Sequence, residues 1–157
     1  MIVCGVDPGK DGAIAFVSPA GAVLHAMPTI ESAKGRAEYD VPRIAELLHA
    51  AEHVFIEKLQ PLPMKHGGSI ANYQRGMGLG LLVGICTAKR IAFTLVRPQD
   101  WQKAMHAGTS GEDTKQRSIV AAQRLFPDVD LRRTERCKGP HDGKADALLI
   151  AEFGRRT

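Results

Sequence analysis

The chain has 157 residues, 44% of them hydrophobic, with three cysteines and a formal net charge of +4. That length suits one domain, residues 1–157, with a core that needs no disulfide framework or structural zinc; Cys4, Cys86 and Cys137 lie far apart with no CxxC pair, which favours a reducing compartment. No apolar run reaches the roughly 18 residues of a membrane span, and the N-terminus lacks the basic and apolar regions of a leader, so the expectation is a soluble, non-secreted protein without a membrane partner.

Ile2 to Val6 reads as a short buried strand, followed by the dense turn Asp7-Pro8-Gly9-Lys10-Asp11-Gly12. Ala13 to Val17 and Ala22 to Met27 are two further strands around the turn Ser18-Pro19-Ala20-Gly21, giving an antiparallel meander. Residues 28–38 are expected to be a polar loop. Pro42 opens a helix with apolar positions Ile44, Leu47, Leu48 and Ala51, and His53 to Glu57 is the next strand. A strand that returns after a crossover helix runs parallel to its neighbour, so if that neighbour is the first strand, Asp7 and Glu57 lie side by side at one sheet edge.

Residues 59–68 are expected to be an irregular loop, and Ser69 to cap a long helix ending near Lys89. Gly76, Gly80 and Gly84 fall on one face of that helix, a face that costs about 1 kcal/mol per glycine relative to alanine and implies close approach of another backbone or a ligand. Ile91 to Val96 is a strand, Pro98 to Met105 a short helix, residues 106–113 a loop, and Thr114 to Phe126 an amphipathic helix stopped by Pro127. Residues 131–144 form a basic irregular segment, and Ala145 to Phe153 an apolar helix. The order points to an α/β domain with a mixed sheet. The basic excess is uneven, with twelve Lys/Arg against nine Asp/Glu over residues 97–157; it is compatible with a polyanionic partner and equally with an ordinary solvated surface.

Four acids, Asp7, Glu57, Asp142 and Asp146, stand at element ends where burial is expected. Each has a plain alternative: Asp7 as a turn former, Asp142 as a helix cap, Asp146 as a first-turn carboxylate favoured by the helix dipole. Their conjunction is explained most simply by a divalent cation, because converging carboxylates repel one another, and oxygen-only donors suit Mg²⁺ or Mn²⁺. A pair of such ions suits phosphodiester hydrolysis. The sequence offers no evident Ser/His/Asp or Cys/His nucleophile set.

Gly5-Val6-Asp7-Pro8-Gly9 with Gly12-Ala13-Ile14-Ala15, the strand Val54-Phe55-Ile56-Glu57-Lys58, and His141-Asp142-Gly143-Lys144-Ala145-Asp146-Ala147-Leu148-Leu149-Ile150-Ala151 resemble, in order and over nearly the whole chain, the RuvC family of Holliday junction resolvases. The phage and organellar branch is nearest. The resemblance implies an RNase H-like fold with a mixed five-stranded sheet, an antiparallel meander plus parallel strands, flanked by helices. It also implies an Mg²⁺-dependent endonuclease, with Mn²⁺ as substitute and two ions per site, that cuts four-way DNA junctions as a homodimer. The compartment implied is the cytoplasm near the nucleoid, or its equivalent in an organelle or a phage-infected cell.

By this resemblance Asp7 is the central metal ligand, Glu57 a second-strand ligand and Asp146 the helix carboxylate. Bacterial RuvC usually carries its other helix ligand three residues before the last, where this chain has Gly143. Asp142, four residues before Asp146, takes that part here. Lys115 resembles the basic residue that approaches the scissile phosphate, and Gly76, Gly80 and Gly84 fall on the helix of the dimer interface, or else allow close packing on the sheet. Lys58, Lys65, Arg75, Lys115, Arg132, Arg133, Arg136, Lys138 and Lys144 are the expected DNA-binding residues.

The loop at 59–68 offers Leu59, Leu62, Met64 and Lys65 but no aromatic for base stacking, Tyr73 being the nearest. His141 is a candidate outer-sphere group or phosphate contact. His49 and His53, four apart, lack a third ligand, and Trp101 reads as core. Two other readings stay open: a related nuclease on structured RNA, and a nucleotide-binding domain of the actin-like or sugar-kinase kind, which shares the Asp7-Pro8-Gly9 turn but ordinarily needs a second such domain.

Overall fold

A computed structural model describes the chain apart from the side chains of residues 64–67, so Met64 and Lys65 lie outside the described residues. The elements in order are β1 (Val3–Asp7), β2 (Ala13–Ser18), β3 (Gly21–Ala26), β4 (Thr29–Glu31), β5 (Ala37–Tyr39), α1 (Val41–His49), β6 (His53–Glu57), α2 (Met64–Lys89), β7 (Phe93–Val96), α3 (Pro98–Met105), α4 (Thr114–Leu125) and α5 (Asp142–Arg156). Five strands form one mixed sheet in the order β3-β2-β1-β6-β7. β1, β2 and β3 are the antiparallel meander, and β1, β6 and β7 run parallel, with Val6 opposite Ile56.

Strand alternation sorts the core into two layers. Cys4, Val6, Ile14, Val54 and Ile56 point to the α1 and α2 side, where they bury with Ile44, Leu48, Leu82 and Cys86. Ala13, Ala15 and Val17 point to the other side and bury with Trp101, Ala121, Ala122 and the apolar face of α5. Gly5, on that second face, has no room for a side chain, since a Cβ would collide with the backbone of Ala147 and Ala151. The glycine in β1 therefore admits α5 directly onto the strand. By the same parity Asp7 and Glu57, at the ends of β1 and β6, face α5.

Three elements differ from the sequence expectation. Residues 28–38 are not a plain loop: β4 and β5 form a two-stranded hairpin, with Thr29 opposite Tyr39. α2 begins at Met64, within the expected 59–68 loop, and its backbone leaves the helical region at Gly68 (φ 57°, ψ 175°), which separates that start from the long helix expected from Ser69. And α5 begins at Asp142 rather than Ala145, with His141 at its N-cap position, and runs on to Arg156. Among the described residues no helix is long and apolar enough to cross a membrane.

Candidate active site

Asp7, Glu57 and Asp146 come together at the C-terminal edge of β1 and β6 under the first turns of α5. Gly143 sets how closely they approach: its Cβ would stand 2.8 Å from Asp11 O, 2.9 Å from Asp7 Oδ2 and 3.1 Å from Gly12 Cα. The first turn of α5 is thus pressed onto the Asp7 turn. No side chain fits at 143, and the nearby helix acid comes from the preceding residue, Asp142.

The electrostatics are those of crowded carboxylates in poor solvent. Burial pushes the Asp7 carboxyl up to about 7, with Glu57 and Asp142 adding to the rise and the Gly9 amide opposing it. Asp146 is likewise raised to about 7 by burial, reinforced by Asp7, Glu57 and Asp142 and opposed by the hydroxyl of Ser118. Its Oδ1 is buried without a hydrogen-bond partner among the described residues. Glu57 is raised by burial too, against the pull of the Trp101 indole N–H and the Arg75 guanidinium. Burial would raise Asp142 as well, yet the ammonium of Lys115 holds it below the usual carboxylate range. Lys115 Nζ lies 2.7 Å from Asp142 Oδ2 and is itself raised by that carboxylate.

Among the described residues no three His, Cys, Asp or Glu side chains converge closely enough to make a ready cation cage. The donor set nevertheless fits a hard cation. It consists of carboxylates alone, two of them raised chiefly by burial and further by neighbouring acids, one with a buried oxygen that has no partner among the described residues, and a fourth paired with an exposed lysine.

No protein-family model and no curated protein matches the chain. Solved structures do. Thermus thermophilus RuvC in complex with a Holliday junction substrate superposes with a TM-score of 0.64 at 18% identity, over 99% of this chain and 95% of that one. Thermus thermophilus RuvC alone gives 0.54 at 18%, over 99% and 96%. The yeast mitochondrial Holliday junction resolvase Ydc2 gives 0.56 at 14%, over 95% of this chain and 75% of that one. The chain has the RuvC fold.

Within this RuvC-like, RNase H-like fold the other expected residues fall into distinct environments. Arg75 on α2 leans toward Asp7 and Glu57, its Nε buried without a partner among the described residues. Three of the basic residues around 131–144 are engaged internally. Arg132 is paired with Asp130 at 2.7 Å, Arg133 with Asp11 at 2.6 Å, and Lys144 Nζ donates to Arg132 O. The Arg133–Asp11 pair ties the segment to the turn beside Asp7. Among the described residues Arg136 and Lys138 form no ion pair and are exposed, as is Lys58; Lys65 lies outside the described residues. Gly76, Gly80 and Gly84 are exposed, and no atom of the described residues would come within 4 Å of a Cβ at any of them. They do not serve packing on the sheet, one of the two uses expected of them.

His53 Nε2 lies 2.9 Å from Thr94 Oγ1, across the parallel β6–β7 pair rather than toward His49. His141 stands at the N-cap position of α5 without a side-chain capping bond, and its Nδ1 is buried without a partner among the described residues, next to Asp142. Trp101 is fully buried, as expected of core; its Nε1 has no hydrogen-bond partner among the described residues but is near enough to Glu57 to favour the carboxylate. Ser118, 1% exposed, is the group sequence reasoning missed: its hydroxyl sits 3.0 Å from His106 Nε2 and faces Asp146. Its only signal is a polar residue on the buried side of an amphipathic helix.

Proposed function

We propose that the protein is a divalent-cation-dependent endonuclease that cuts branched DNA, four-way junctions in particular. The observation that carries this reading is that Asp146, its Oδ1 buried and without a partner among the described residues, lies near enough to Asp7 and Glu57 for both to raise it, in a chain with the RuvC fold. Asp7, Glu57 and Asp146 would hold Mg²⁺ or Mn²⁺, with Asp142 as the fourth donor. When bound, a pair of such ions supplies an activated water and neutralises charge on the leaving oxygen of a phosphodiester.

The chain's own residues do the rest. Asp7 lies near enough to Glu57 on β6 and Asp142 on α5 for both to raise it, and would be the ligand common to both groups. The Trp101 indole and the Ser118 hydroxyl lie close enough to Glu57 and Asp146 to favour their charged forms, while Ser118 Oγ is itself engaged with His106 Nε2. Lys115 is 74% exposed on a flexible stem, and exchanges Asp142 for a phosphate oxygen once Asp142 is otherwise engaged. Arg75, His141, Arg136 and Lys138 supply further positive or hydrogen-bonding groups around the strand entering the site. The exposed glycine face of α2 is the surface for a second copy, which would give two sites for paired nicks.

The direct test mixes the protein with an end-labelled four-way junction, with and without Mg²⁺, beside Asp7→Asn and Asp146→Asn. The expected result is Mg²⁺-dependent nicking by the wild type and none by either variant, with junction binding kept by all three. A wild type that binds the junction and leaves it intact ends the nuclease reading. Variants that cut as well as the wild type remove these acids from the site.

A further inference from the structure

The hairpin β4–β5 ends at Tyr39, and the phenol reaches the acid-bearing turn. Tyr39 Oη donates to Pro8 O at 2.9 Å, so the accepting carbonyl belongs to the residue immediately after Asp7. On its other side the ring rests on α2 at Gly78. A Cβ there would collide with Tyr39 Oη and stand 3.2 Å from Pro8 O. Alanine would suit a helix interior better by about 1 kcal/mol, so the glycine at 78 makes sense as room for the phenol. A second tie runs the other way: Lys10 Nζ, from the turn, donates to Ala37 O at 2.7 Å and lies 5.7 Å from the Tyr39 ring centre.

The turn is braced by α5 at Gly143, by Arg133 on Asp11 and by Met27 N donating to Gly12 O, but none of these contacts engages the Pro8 carbonyl. The β1–β2 ladder ends at Asp7 opposite Ala13, Pro8 has no N–H to donate, and within the turn Gly12 N donates to Gly9 O at 2.8 Å. Pro8 is buried between a strand end and a helix, so without the phenol its carbonyl would be left short of a partner. The phenol gives it a fixed partner, and α2 gives the phenol a fixed seat.

We infer that Tyr39 is a positioning residue, whose phenol pins the Asp7-Pro8-Gly9 turn against α2 and so fixes where the Asp7 carboxylate stands relative to β6 and α5. Its catalytic consequence rests on the nuclease reading above; the pin itself rests on the contacts just described. Loss of one hydrogen bond leaves the fold intact, but a carboxylate displaced by a fraction of an ångström is costly where reacting groups must align.

Tyr39→Phe keeps the ring and removes the hydroxyl. With a labelled junction and Mg²⁺ it should lower kcat about tenfold while leaving KM within about twofold, and should raise the Mg²⁺ concentration at which thermal stabilisation is half-complete. Backbone amides of Gly9, Lys10, Asp11 and Gly12 should exchange with solvent faster than in the wild type. Gly78→Ala, which evicts the phenol while leaving it in the chain, should reproduce all three effects, and the double variant should be no worse than the more affected single one. Wild-type kcat, Mg²⁺ midpoint and amide exchange in Tyr39→Phe would reduce the phenol to packing and overturn the inference. If the wild type cuts no junction, the nuclease reading falls separately and exchange at the turn decides: faster in both variants upholds the pin, unchanged removes it.

Discussion

Asp7 and Asp146 have an ordinary carboxyl value of 3.8 and are raised to about 7 in the folded chain, chiefly by burial. A raised acid makes the folded state hold protons that the unfolded state has already lost. Its stabilising contribution is therefore complete below the unfolded value and is lost as pH climbs toward the folded one. A tenfold change in proton affinity is worth about 1.4 kcal/mol, and since the two groups repel each other their joint effect amounts to a few kcal/mol. In chelator, the melting temperature should fall from about pH 4 to about pH 7 and level off above, and Mg²⁺ at about pH 8 should recover most of the loss. Asp146→Asn should flatten that fall and blunt the recovery. Melting curves over this range, with and without Mg²⁺, check it; a pH-independent wild type would mean the carboxyls are not under this strain.

At the scale of elements, what the sequence disclosed was whatever apolar alternation marks. The five strands of the main sheet, the helix after Pro42 and the parallel pairing of β1 with β6 follow from periodicity and crossover geometry, which is why Asp7 and Glu57 were expected side by side. The hairpin β4–β5 was illegible because its three-residue strands are mostly exposed and carry no alternation. The first turn of α5 was missed because Asp142-Gly143-Lys144 has no apolar residue to extend the helical pattern. The parts played by Trp101, Ser118 and Tyr39 depend on contacts between distant segments, which no local pattern encodes. Gly143 shows the difference sharply: in sequence it is a poor helix former near a helix start, in space it is the contact between α5 and the Asp7 turn. Gly143→Ala should gain about 1 kcal/mol of helix propensity and lose more to the clash with Asp11 O, Asp7 Oδ2 and Gly12 Cα. A lower melting temperature together with weaker Mg²⁺-dependent cleavage is expected, by calorimetry and junction assay. A stabilised, fully active variant would show that α5 can step back without cost to the site.

For the whole molecule, the exposed face of α2 is where fold and proposed assembly make opposite demands. Gly76, Gly80 and Gly84 have open space where a side chain would go, and Ile70, Tyr73 and Met77 on the same helix are 74%, 69% and 46% exposed. In an isolated copy, Gly80→Ala meets nothing and should stabilise the fold by about 1 kcal/mol, because an exposed helical glycine costs backbone entropy that alanine does not. In a pair of copies closely packed through that face, any added side chain keeps the helices apart. Gly80→Leu is therefore expected to melt no lower than wild type as a monomer while sedimenting as a monomer at concentrations where the wild type is a dimer. On a four-way junction it should leave singly nicked product, because the two cuts would no longer be made within one complex. A Gly80→Leu protein that still sediments as a dimer, or a wild type that is monomeric at every concentration and on DNA, would move the assembly surface elsewhere and leave the glycines without a packing role.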